Sequence, residues 1–299
     1  MDNQSLANDP LWPRAAGLLK PADGSSCDVA ILGIPAHLTS ISATNAHTTP
    51  AAIRAALARY STWSASHGID IGALNVQDFG DIQDPDGPAG EDATIAKTGE
   101  LSKLADLVIG LGGDNSVTYA MARGSLGQDL ATAGLITFDA HHDLRDGISN
   151  GSPVRRLVEA GLAGQRVVQI GIADFSNSPE YAMRAMDLGV TVIPRSTLRT
   201  RTLEDVMTQA LQIAGAAGGP IHVDIDVDVC DRSVVPGCPA AAPGGISADE
   251  LRQLTYLASK HSQVRSIDIT EIDATADAPD QRTVRLAALL ILEALAGRF

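Results

Sequence analysis

The chain has 299 residues, 44% hydrophobic and 19% charged, a composition that suits one large packed core and lies far from that of a disordered protein. A formal charge of −14 and a sequence pI of about 4.7 argue against a nucleic-acid or anionic-membrane surface, both of which need basic patches. Cys27, Cys230 and Cys238 fit neither a disulfide framework nor a CxxC metal site, and the longest apolar stretch, residues 286–295, is too short to span a bilayer, so a soluble cytoplasmic protein is expected.

Residues 1–25, with Pro10, Pro13 and Pro21, read as an irregular lead-in. Residues 28–35 read as a first buried strand, and Thr49-Pro50 as the cap and first-turn proline of a helix reaching about residue 60. A second strand is expected at 74–76, with Asp78-Phe79-Gly80-Asp81 as a turn behind it, and a helix at 93–104. Residues 107–111 form the next strand, ending in Gly112-Gly113-Asp114-Asn115-Ser116 before a helix at 117–123. The run 134–138 is a strand that gives way to Asp139-Ala140-His141-His142-Asp143, and Ser149-Asn150-Gly151-Ser152-Pro153 opens a helix at 154–160. Strands follow at 166–172, 191–193, 220–228 and 264–272, separated by helices after residue 179 and at 203–213 and 249–259, with a closing helix at 282–295. This alternation predicts a single α/β domain over residues 1–299, three layers deep, with a mostly parallel sheet of about eight strands covered on both faces. Ligands of such folds bind beyond the carboxyl ends of the strands.

Two acidic segments sit at such ends. On an extended chain alternate side chains share a face, so Asp139, His141 and Asp143 converge while Ala140 and His142 face away. Two carboxylates and one imidazole make a partial shell for a divalent transition ion. By the same period Asp224, Asp226 and Asp228 share one face of their strand, and Asp231 follows with no basic residue among the four. Such a group is too costly to bury without a cation or protons. Together the segments carry enough donors for two adjacent ions able to acidify a shared water.

These residues resemble the motifs of the ureohydrolases, the family of arginase, agmatinase and formimidoylglutamase. Gly112 to Ser116 looks like the family's GGDHS turn, Asp139 to Asp143 like its DAHxD, and Asp226 to Asp231 with Pro236-Gly237 and Pro243-Gly244-Gly245 like its third acidic motif. The resemblance implies an arginase-like fold and a manganese centre of one or two ions. One site would use Asp139, His141, Asp226 and Asp228. The other would use Asp139, Asp143 and Asp226, with Asn115 at the position of the family's histidine ligand. Asp224 is then an extra acid, and Glu271 matches the glutamate that accepts hydrogen bonds from the substrate's amidine or guanidine nitrogens. Two departures stand out: Asn115 in GGDHS, and Asn150 where the family commonly has the histidine of HGTPF. An amide oxygen is a weaker ligand than imidazole, which weakens the second site and leaves a metal-poor, non-catalytic homologue as one alternative.

Within the family, Asp143-Leu144-Arg145, Ser149 to Pro153, Gly171-Ile172 followed by Ser176-Asn177-Ser178, and Asp280 to Thr283 look like the formimidoylglutamase branch. That implies hydrolysis of N-formimidoyl-L-glutamate to L-glutamate and formamide in histidine breakdown; an agmatinase-like or other guanidino-acid hydrolase releasing urea is the alternative. The dicarboxylate substrate needs local cations in so acidic a chain, so Arg145 and Arg155, with Asn150, Ser176 and Asn177, are expected to bind it, only one of Arg155 and Arg156 being able to face the pocket. Asp143 is expected to carry the proton to the departing amine and Glu271 to orient the amidine. His142 reads as a core histidine on an ideal strand, and as a replacement for the shuttle absent at Asn150 if the turn bends. The family resemblance also implies a homo-oligomer, a trimer or hexamer.

Overall fold

The computed structural model describes residues 9–299; residues 1–8 of the expected lead-in lie outside them. In chain order the first half holds β1 (Lys20–Pro21), β2 (Cys27–Ile34), α1 (Thr49–Ala56), β3 (Trp63–Ser64), β4 (Ile69–Asp70), β5 (Val76–Asp81), α2 (Gly87–Leu101), β6 (Ala105–Gly112), α3 (Val117–Leu126) and β7 (Gly134–Phe138). The second half holds α4 (Pro153–Glu159), β8 (Val167–Ile172), α5 (Pro179–Asp187), β9 (Thr191–Pro194), α6 (Arg195–Leu198), α7 (Leu203–Ala214), β10 (Ile221–Asp226), α8 (Ala248–Ser259), β11 (Val264–Thr270) and α9 (Arg282–Ala296). Strands β3 and β4 pair as a small antiparallel ribbon; the other nine form one parallel sheet in the order β1-β5-β2-β6-β11-β10-β7-β8-β9.

The local sequence explains these elements. The central strands are continuous apolar runs buried on both faces, which a parallel sheet sandwiched between helices requires. Pro50, Pro88, Pro153 and Pro179 occupy first-turn positions of α1, α2, α4 and α5, where a missing N–H costs nothing. Ser247 and Glu250 close a reciprocal capping box on α8. Helices α1, α7, α8 and α9 cover the larger core on one face, while α2, α3 and α4 cover the other.

Several expected boundaries change. Residues 78–81, read as a turn, belong to β5, which is held between β1 and β2 and accommodates Gly80 at φ +74° with a register shift in β2. The lead-in is not wholly irregular, since Ala15–Leu18 form a 3-10 turn and β1 adds a sheet edge. Helix α2 starts at Gly87, six residues before the expected 93.

The register sets the site. Phe138 pairs with Ile225, Asp226 with Thr270, and Ile269 with Leu111, so the carboxyl ends of β7, β10, β11 and β6 finish level in the middle of the sheet. At Gly113 a Cβ would lie 1.8 Å from the carbonyl oxygen of Ala36. Only glycine lets the β6–α3 turn lie this close against the end of β2.

Candidate metal centre

Strand β7 ends at Phe138, so Asp139 to Asp143 is a turn and not the extended chain expected from the alternation. Asp143 adopts φ +52°, a left-handed conformation that swings its side chain back toward the centre. The second acidic segment bends too. Asp224 and Asp226 lie on β10, but Asp228 sits on a 3-10 turn, Val227–Val229, that returns it toward β7. The Asp228 carboxylate accepts from Ala140 N at 2.9 Å, and Asp226 accepts from Asp228 N at 2.8 Å, so the two strand ends hold each other.

Ligand atoms of Asp139, His141 and Asp228 come together within 4.8 Å of one another. His141 Nδ1 lies 2.8 Å from Asp228 Oδ2 and 3.6 Å from Asp139 Oδ1. Among the described residues Asp139 Oδ2 is buried without a hydrogen bond, a costly condition that a divalent cation resolves. Charge tells the same story. Burial and the neighbouring Asp228 raise the Asp139 pKa to about 6, and the carboxylates outweigh burial at His141 and push its pKa up to about 11. Asp143 and Asp226, both buried and both in the wall of the cavity, lie outside this threesome, and burial with their acidic neighbours raises both. Asp224 is fully buried opposite Asp268 in the register and takes no part in the cavity wall.

Asn115 does not present a ligand oxygen. Its Oδ1 accepts from Thr118 Oγ1 at 2.8 Å and Thr270 Oγ1 at 2.9 Å, while its Nδ2 donates to Asp143 Oδ2 at 2.5 Å. The amide is turned over relative to the expected metal contact because two threonine hydroxyls claim its carbonyl.

The cavity beside the centre has a volume of about 370 Å³ and is walled by His141, His142, Asp143, Arg145, Asn150 and Glu271 among others. Glu271, at φ +65°, accepts through Oε1 from Asn115 N at 2.9 Å and Asn150 Nδ2 at 2.8 Å, and burial raises its pKa to about 7. Asn150 also accepts from Ile41 N at 3.0 Å, which ties the β2–α1 loop to the glutamate. Arg145 reaches the wall with no carboxylate partner among the described residues; a Cβ at Gly151 would lie 2.7 Å from its Cδ, so glycine makes room for the arginine stem.

Other expected contacts fall elsewhere. The Arg155 guanidinium donates to the carbonyls of Arg145 and Gly147 and to Glu159, which removes it from the wall and makes it a clamp on the loop that carries Arg145. Arg156 pairs with Glu91 over the Tyr119 ring. Ser176 and Asn177 do line the cavity, but the Asn177 amide is spent on His142 N and the Ala140 carbonyl, both at 2.9 Å.

The sequence model of the arginase family matches residues 27–297, nearly the whole of the structure described above. The chain belongs to the arginase family. It is 36% identical to the formimidoylglutamase of Halalkalibacterium halodurans over 98% of this chain and 95% of that protein. The crystal structure of formimidoylglutamase from Bacillus subtilis superposes with a TM-score of 0.90 at 32% identity, covering 99% of this chain and 95% of the other. The fold is shared as well by Trypanosoma cruzi formiminoglutamase, crystallised with Mn2+, at a TM-score of 0.88 and 24% identity over 96% and 98% of the two chains.

One buried polar side chain beside the cavity residues escaped the motif reading. Gln169, fully buried in β8, hydrogen-bonds the ring of His142. Its signal was a lone amide inside the apolar run Val167-Val168-Gln169-Ile170. Among the described residues no helix is long and apolar enough to cross a membrane.

Proposed function

We propose that the protein hydrolyses the amidine carbon–nitrogen bond of N-formimidoyl-L-glutamate, releasing L-glutamate and formamide, with manganese held by Asp139, His141 and Asp228 and approached by Asp226. The observation that carries this reading is Arg145, which has no carboxylate partner among the described residues and lines the same cavity as His141 and Asp228 of the Asp139/His141/Asp228 group. In a chain of charge −14, such a cation suits a carboxylate on the substrate's glutamate portion. Manganese is the ion named for the T. cruzi protein of the same fold.

When bound, a divalent ion supplies Lewis-acid activation of water. The residues supply the rest. Glu271, fixed through Oε1 by Asn115 and Asn150, accepts from the amidine nitrogens and holds their plane. Asp143, buried in the cavity wall beside the centre, is placed to carry the proton to the departing amine, and its bond to Asn115 keeps Oδ2 in place. Asn115, offering N–H and not an oxygen, leaves the Asp143 side of the centre to proton transfer and favours one tightly held ion over two.

On the same reading residues 1–299 act as one catalytic unit on a small-molecule substrate, in the cytoplasm, as a trimer or hexamer. The purified, manganese-loaded protein is to be incubated with N-formimidoyl-L-glutamate and with guanidino acids, and formamide, ammonia and urea measured separately. Formamide from the first substrate is expected. Urea from the second without formamide from the first overturns the assignment.

A further inference from the structure

His142 stands in the middle of the metal-binding turn, and all but one of its polar groups are tied down. Its backbone N–H donates to Asn177 Oδ1 at 2.9 Å, its carbonyl accepts from Gln169 Nε2 at 2.9 Å, and its ring Nδ1 lies 2.7 Å from Gln169 Oε1. The two bonds to Gln169 fix each other. A backbone carbonyl only accepts, so the amide NH2 must face it, which turns Oε1 toward the ring; an oxygen that only accepts then requires a hydrogen on Nδ1. Flipping the amide would set two carbonyl oxygens against each other. The other ring tautomer would press two lone pairs together at 2.7 Å. In the neutral ring Nε2 is therefore the atom left with a lone pair. Among the described residues it has no hydrogen-bond partner, and His142 forms part of the cavity wall with Asp143, Glu271 and Arg145.

We propose that Gln169 is a positioning residue that holds His142 in the Nδ1–H tautomer, so that Nε2 offers a hydrogen-bond acceptor to an N–H of the substrate's amidine group. The substrate in this statement rests on the function proposed above. An amidinium carries N–H donors on both nitrogens, and the cavity matches it with two acceptors, the Glu271 carboxylate and His142 Nε2. The lock also accounts for an amide buried in the centre of β8, where an apolar side chain would pack without needing a partner.

Ring nitrogen shifts read the tautomer directly. The full-length protein, 15N-labelled at histidine and loaded with diamagnetic Zn2+, is expected to show His142, assigned by its loss in His142→Phe, with a protonated Nδ1 and a bare Nε2. A protonated Nε2 in that spectrum overturns the proposal. In the manganese-loaded enzyme, His142→Phe and Gln169→Leu are each expected to lower kcat/KM for N-formimidoyl-L-glutamate by about tenfold, the size of one lost hydrogen bond, and the double variant to lose no more than either alone. An unchanged kcat/KM in His142→Phe, or losses that multiply in the double variant, overturn it as well. Should Gln169→Leu fail to fold, the wild-type spectrum and His142→Phe still decide. A wild type that shows the bare Nε2 yet turns over no formimidoyl substrate overturns the substrate assignment while the lock stands.

Discussion

Asn115 Nδ2 donates to Asp143 Oδ2 at 2.5 Å, so the residue at the family's histidine position faces the centre with hydrogens in place of a lone pair. Thr118 and Thr270 hold it that way by donating to its oxygen. Replacing it by histidine removes the donor amide and offers an imidazole nitrogen to an ion shared with Asp143. Asn115→His is expected to raise bound manganese per chain, or its affinity, measured by elemental analysis after dialysis against graded free metal. Equal metal content in the two proteins would sink this account of the second site.

That orientation was beyond the reach of sequence. The apolar runs of β2, β6, β7 and β8, the proline-marked starts of α1, α4 and α5, and the acids at the ends of β7 and β10 were legible because each is a local pattern of period two or a local cap. What Asn115 presents depends instead on hydroxyls from α3 and β11, and a side-chain amide takes whichever rotation its neighbours leave. The convergence of Asp139 and His141 with Asp228 followed from the family resemblance, while the alternation grouped Asp139 and His141 with Asp143. Two turns bring them together, and the alternation of an extended strand does not. Arg155 was misplaced because helix periodicity does not reveal that backbone carbonyls of the preceding loop will claim a guanidinium.

Glu271 gives a sharper test of substrate orientation. In Glu271→Gln an oxygen can still accept from Asn115 and Asn150, so the turn is retained, but the charge that meets an amidinium is gone. A hydrogen bond to a charged partner contributes about 1.5–3 kcal/mol, so kcat/KM is expected to fall about 10- to 100-fold with the melting temperature little changed. Steady-state kinetics beside thermal unfolding checks both halves.

Arg145 and Arg155 separate binding from positioning. Arg145→Ala removes the cation that meets the substrate carboxylate, and KM is expected to rise roughly 10- to 100-fold with kcat nearly constant. Arg155→Ala leaves that cation but frees the carbonyls of Arg145 and Gly147, so a smaller rise in KM is expected. For a substrate analogue lacking carboxylates, Arg145→Ala is expected to match the wild type; a large loss there would mean that Arg145 acts elsewhere than on a carboxylate.

Metal binding and pH are linked through the same charges. In the metal-free protein the folded state raises Asp139 from 3.8 to about 6 and Glu271 from 4.5 to about 7, so it holds more protons than the unfolded chain between those values and loses stability as pH rises through them. His141, raised from 6.5 to about 11, stabilises fully below 6.5 and progressively less above it. All three terms thus weaken the metal-free fold as pH climbs from about 5 to about 8. A bound divalent ion reverses the preference, because it needs ionised carboxylates and a neutral imidazole. The rise in melting temperature on adding manganese, measured against chelator-treated protein, is therefore expected to be small near pH 5 and to grow toward pH 8. A gain independent of pH would mean that the ion does not displace protons from Asp139 and His141.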